Sequence, residues 1–201
     1  MQTSAKKLNT LFFYKDYLSW TAENERWELI DGIAYDMSPA PTRKHQGISR
    51  NIARILSNYL EDKDCSVYAA PFDVRLPVGL QTDAEINTVV QPDISVFCDQ
   101  DKLDDKGAVG APDLVIEILS PSTAVKDLRE KFFLYEKVGV KEYWIVDPAN
   151  ETLTVYILDK KGKYPRGKVY AGKDKFQVGI FKDLEINMED IFKDTPPKKK
   201  L

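Results

Sequence analysis

Apolar residues recur along this chain in two rhythms, and the points where one gives way to the other mark its elements. Between 43 and 60, Ile48, Ile52, Ile55, Leu56 and Tyr59 fall at the three- and four-residue spacing of one helical face, which predicts a strongly amphipathic helix. The run 113–119 is apolar at almost every position and reads as a strand covered on both faces. A second helix is predicted over 124–139, closed by Gly139, and a buried strand over 142–147, closed by Asp147-Pro148. Strand, helix and strand in that order predict a parallel crossover in an α/β fold. A short helix is expected at 14–20, and 27–35 reads as a hairpin on an Asp31-Gly32 turn or as one bulged strand. Strands are expected at 65–76 and 92–98, with 77–87 and 99–110 as surface excursions. Short strands at 152–158, 167–170 and 176–178 and a helical turn at 188–192 complete the pattern. No repeat or internal boundary is visible, so one domain over 1–201 is expected.

One charge interrupts the apolar stripe of the second helix. At about 100° per residue, Ala124, Leu128, Phe132, Tyr135 and Val138 share a face, and Lys131 falls inside the same arc. Lys126, Arg129, Glu130, Glu136 and Lys137 point away on this wheel, with Asp127 at the stripe's edge. A buried ammonium without a partner costs several kcal/mol or loses its proton, so an opposing carboxylate or a bound anion is expected beside Lys131. Asp93, after Pro92, and Glu117, within the run 113–119, are the acids that could supply it. Two carboxylates and a lysine at a sheet edge suit a divalent cation and a phosphate. Taken singly, each acid reads first as making a local hydrogen bond or salt bridge at a strand end, and the lysine is open to a snorkelling stem.

Composition narrows the picture. With 201 residues, 43% hydrophobic and 30% charged, the chain can bury a real core as a soluble globule. Its net charge of −3 repels a polyanion overall, so nucleic-acid binding requires a local basic patch or a bridging metal. Arg43, Arg50 and Arg54 form such a stripe, or simply a solvated face, opposite the apolar side of their helix. Ser122 and Thr123 precede the second helix and read as its N-cap rather than as a phosphate site. Cys65 and Cys98 lie in apolar, strand-like surroundings without metal-ligand spacing; free buried thiols in a reducing cytoplasm, and no disulfide, are expected. There is no leader-like segment and no run of about eighteen apolar residues, so neither secretion nor membrane insertion is expected. The basic end, 194–201, reads as a mobile tail.

Glu28, the 43–60 helix with His45, Pro92-Asp93, the block from Val115 to Thr123, Asp127, Lys131, Tyr135 and the block from Gly139 to Asp147 together form a familiar order. It resembles the restriction-endonuclease family that is abundant in cyanobacteria, formerly a domain of unknown function, within the PD-(D/E)XK nuclease superfamily. The resemblance runs from about 17 to 159 and is densest from 91 to 147. It implies a restriction-endonuclease-like core at about 14–160, a central mixed sheet flanked by helices, and a magnesium-dependent endonuclease acting on DNA, with manganese able to substitute. It implies Asp93, Glu117 and the Ile118 carbonyl as metal ligands, Lys131 as the catalytic lysine, Glu28 as a further carboxylate of the metal shell and His45 at the site's edge; from the residues alone Glu28 is also open to an exposed strand position and His45 to a core or capping role. The superfamily's lysine two residues after the glutamate is absent, since Leu119 stands there, and a lysine of the next helix takes its role at the position of Lys131. Enzymes of this architecture pair to cut both strands, so a homodimer is implied. A catalytically silent nucleic-acid-binding or assembly module, and a hydrolase of RNA or another phosphoester, remain alternatives.

Overall fold

The computed structural model describes residues 11–21, 26–37, 40–79, 81–121 and 123–193. The expected tail at 194–201, Ser122, and positions 38 and 39 of a stretch that reads in sequence as a loop over 38–41 lie outside them.

In chain order the elements are α1 (Tyr14–Thr21), β1 (Trp27–Ile30), β2 (Ile33–Asp36), α2 (Arg43–Leu60), β3 (Ser66–Ala69), β4 (Val74–Arg75), β5 (Val89–Val90) and β6 (Ile94–Phe97). Next come β7 (Leu103–Asp104), β8 (Gly107–Val109), β9 (Leu114–Ile118), a π-helical segment (Lys126–Lys131) that continues directly into α3 (Phe132–Val138), and β10 (Glu142–Asp147). The chain continues through β11 (Thr152–Ile157), β12 (Lys168–Ala171), β13 (Lys175–Gln177), β14 (Glu185–Asn187) and α4 (Met188–Phe192).

The central sheet runs β12-β11-β10-β9-β6-β3 and is mixed, with β9 and β10 parallel and its other neighbours antiparallel. The parallel pair brackets the π segment and α3, as the crossover pattern predicts. Alternation along the strands sorts their side chains. Ile94, Val96, Leu114, Ile116, Ile118, Trp144 and Val146 pack on one face with Ile48, Ile52 and Leu56 of α2 and the β13–α4 region. Phe97, Val115, Tyr143 and Ile145 pack on the other with Leu134, Tyr135 and a second sheet. That second sheet runs β2-β1-β5-β4-β8-β7. Its first hairpin turns on Asp31 and Gly32, both with positive φ, 47° and 79°, as a two-residue type I′ turn requires.

Three expectations change here. The stretch 65–76 is not one strand: β3 pairs with β6 in the central sheet, whereas β4 joins β5 and β8 in the second. Pro71 lies at the break, where it has no N–H to give to a ladder. The excursion 99–110 carries the β7–β8 hairpin, and Gly107 and Ala108 are buried against β4. Thirdly, Cys65 and Cys98 are not free thiols. The β3–β6 register pairs Ser66 with Phe97, so the next residues out stand opposite each other, and they are joined as a disulfide with Cα atoms 3.9 Å apart. Among the described residues no helix is long and apolar enough to cross a membrane.

Candidate active site

At one end of the central sheet the strand register places Asp93 opposite Glu117. Ile94 pairs with Ile116 on β6 and β9, so the two acids occupy the next rung. Both line a cleft of about 260 Å³ together with His45, Lys131, Asp127 and the backbone around Ile118. Asp93 is held there by its Oδ2 atom, which accepts the Ile118 N–H at 2.7 Å and faces His45 Nε2 at 3.2 Å. His45 reaches it from the first turn of α2, whose N-cap is the Thr42 hydroxyl accepting the His45 N–H. Burial pulls the His45 pKa down, but its bond to Asp93 outweighs this and lifts it.

Lys131 points inward, as the helical wheel indicated, and is 2% exposed. Its Nζ lies 2.7 Å from Glu28 Oε1, 2.8 Å from Glu117 Oε1 and 3.7 Å from Asp127 Oδ1. Burial pulls its pKa down, yet these carboxylates hold it well above the ordinary lysine value. Tyr135 Oη donates to the same Glu117 oxygen at 2.7 Å, so the tyrosine expected only to pack is part of the network. Glu28, on β1, is fully buried, with its Oε1 accepting the Gln91 N–H at 3.0 Å. Desolvation raises its pKa, but Lys126 and Lys131 overcome this and hold it at about 2. Glu117 goes the other way. Burial, together with the negative charges of Asp127, Asp93 and Glu28, lifts it to about 8 despite Lys131.

Lys126 departs from the sequence reading. It does not point away; its Nζ is bonded to Glu28 Oε2, and it lines the cleft. The cause is the winding. Residues 126–131 follow i→i+5 hydrogen bonding, so residues five apart come to one side, and a wheel at the ordinary pitch misplaces them. Lys126 and Lys131 therefore share Glu28, Asp127 is buried instead of marginal, and Leu128, expected in the stripe, is 51% exposed. Thr123 donates to Asp127, lowering its pKa against the larger upward push of burial, while Ser120 Oγ accepts the Thr123 N–H at 3.2 Å in place of the expected cap. Arg43, Arg50 and Arg54 are exposed along α2.

The donor set suits a hard divalent cation. Among the described residues, both bonds to Glu117 fall on Oε1 and both to Asp93 on Oδ2, leaving the other oxygen of each acid without a hydrogen bond at the cleft. With Glu117 ionised, four carboxylates, Glu28, Asp93, Glu117 and Asp127, stand around the floor against Lys126 and Lys131, with Arg26 on the wall. Without a metal Glu117 keeps its proton up to about pH 8, and a divalent cation would take that proton's place. Among the described residues no three His, Cys, Asp or Glu side chains converge on one point. Two carboxylates, a carbonyl and water match the way magnesium is held.

A mixed sheet flanked by helices, with its acids at one end, is the restriction-endonuclease-like architecture. The chain belongs to the Uma2 family, described as "Putative restriction endonuclease", whose profile matches residues 14–189. It is 27% identical over 154 residues to the uncharacterized protein slr1290 of Synechocystis sp., covering 75% of this chain and 76% of that protein. A second Synechocystis protein, sll1609, is 29% identical over 126 residues, 61% of this chain and 67% of the relative. Among solved structures, the fold is shared with "a putative nuclease belonging to DUF820" from Anabaena variabilis at a TM-score of 0.71 and 20% identity, over 90% of this chain and 97% of that one.

Proposed function

We propose that the chain is a metal-dependent endonuclease that hydrolyses phosphodiester bonds in DNA. One observation carries this reading: Asp93 and Glu117 face each other across two strands, and Lys131 lies 2.8 Å from Glu117 beside the same cleft. Family membership supports the reaction class. Asp93 and Glu117, with the Ile118 carbonyl, would hold magnesium or manganese. When bound, the cation lowers the pKa of water and neutralises charge on the phosphate.

The remaining work falls to the chain. The Ile118 N–H and His45 fix one oxygen of Asp93, so its other oxygen is presented in a set direction. Tyr135 and Lys131 do the same for Glu117. Lys131, kept protonated by three acids, orients the attacking water and stabilises negative charge at the phosphate. Glu28 holds both lysines at the cleft and serves as a positioning residue.

Calorimetric titration with manganese, together with cleavage of supercoiled DNA, tests the proposal. Wild-type protein is expected to bind and to cut, and Asp93→Asn and Glu117→Gln to lose both while staying folded. Wild-type protein that neither binds manganese nor cuts would overturn it and leave the binding module as the reading.

A further inference from the structure

We infer that Arg26 is an anchor for a backbone phosphate of the nucleic acid, adjoining the carboxylate site. This rests on the nuclease reading and extends it to how the substrate is held. Arg26 immediately precedes β1 and lines the same cleft as Asp93, Glu117 and Lys126. The charges of Lys126 and Lys131 are each offset by bonded carboxylates, whereas Arg26 has no carboxylate partner among the described residues. Among the described residues its side chain makes one hydrogen bond, from Nη2 to the Gln91 amide oxygen at 3.0 Å, while Nε is buried without a partner and Nη1 makes no bond.

The Gln91 amide is itself locked. Its Nε2 donates to Asp73 Oδ1 at 2.8 Å and to Tyr17 Oη at 3.0 Å, and that hydroxyl donates to the same Asp73 oxygen at 2.7 Å. The amide oxygen is thereby turned toward Arg26 and cannot exchange places with the nitrogen without losing both bonds. A neutral acceptor thus fixes the guanidinium without cancelling its charge. A planar cation held in this way, at the wall of an otherwise acidic cleft, fits a phosphodiester oxygen. Gln91 also donates its backbone N–H to Glu28 Oε1, so one residue sets both the lysine-bearing acid and the arginine. In a chain of net charge −3, a local cation of this kind supplies the attraction that the overall charge does not.

The test is fluorescence anisotropy with labelled DNA duplex, DNA single strand and RNA strand, in metal-free and in calcium buffers, across a series of salt concentrations. Arg26→Met is expected to weaken binding about tenfold and to reduce the slope of log Kd against log salt by about one. Arg26→Lys keeps the charge but not the fork, and is expected to restore the slope and only part of the affinity. Manganese affinity and thermal midpoint should stay at the wild-type values for both variants. Unchanged binding and an unchanged salt slope in Arg26→Met would overturn the proposal while leaving the nuclease reading intact. A wild-type protein that binds these strands but neither cuts them nor takes up manganese would overturn the nuclease reading alone, and one that binds none of them would overturn both. Should Arg26→Met fail to fold, Arg26→Lys decides: affinity equal to wild type in all three strands would overturn the proposal.

Discussion

Lys131 Nζ stands 2.7 Å from Glu28 Oε1, joining the π segment to β1 of the second sheet inside a fully buried ion pair. Because the same ammonium also serves Glu117 and Asp127, its removal takes a cation from three buried acids at once, of which Glu28 alone keeps a lysine, Lys126. Lys131→Ala is therefore expected to cost about 3–5 kcal/mol of stability, measured by urea denaturation. Loss of activity in that variant is informative only beside Asp93→Asn and Glu117→Gln, which alter the oxygens at the cleft and leave Lys131 its contacts with Glu28 and Asp127.

Lys126 shares Glu28 but is the more exposed of the two lysines, its side chain 11% accessible against 2%. Lys126→Met leaves Glu28 its other partner. A loss of about 1.5–3 kcal/mol is expected, smaller than for Lys131→Ala in the same denaturation series. Equal losses would mean that the two cations are not ranked by burial.

The pH dependence of stability follows from two acids with opposite shifts. Glu117 titrates at about 8 when folded, against an ordinary 4.5. Between those values the folded chain binds more protons than the unfolded one, so stability falls as pH rises, by up to about 1.4 kcal/mol per pH unit. Glu28, held at about 2, acts oppositely: its contribution is present above 4.5 and is lost as pH falls toward 2. Urea midpoints from below pH 4.5 to above pH 8 should show this decline between the two values in metal-free protein. Saturating magnesium, or Glu117→Gln, should flatten it.

The Cys65–Cys98 bond closes a loop of sequence separation 33. Loop entropy sets an upper value of about 3–4 kcal/mol for what reduction removes. Denaturation with and without dithiothreitol measures this, and Cys65→Ala/Cys98→Ala should match the reduced protein.

Much of the fold was legible in the chain, because its signals are local. The α2 stripe of Ile48, Ile52 and Leu56 and the continuous apolar β9 and β10 are periodicities that a single segment displays. Within the site, Asp93, Glu117, Lys131, His45 and Glu28 were all named, and the structure brings them to one end of the sheet. The rest depends on quantities that no local pattern carries. Cys65 meets Cys98 through inter-strand register, and β4 leaves β3 for another sheet because the chain turns at Pro71. Lys126 was misplaced by assuming ordinary helical pitch. Gln91 and Arg26 carried no signal, since a glutamine's orientation is set by Tyr17 and Asp73, 74 and 18 residues away.

The i→i+5 winding of 126–131 amounts to one surplus residue in an otherwise regular helical path. Wound at the common pitch, the same six residues would set Lys126 and Lys131 about 140° apart and swing one of them off the acid they share. That both ammonium groups meet on one carboxylate is therefore a property of how the segment is wound as much as of which residues it holds.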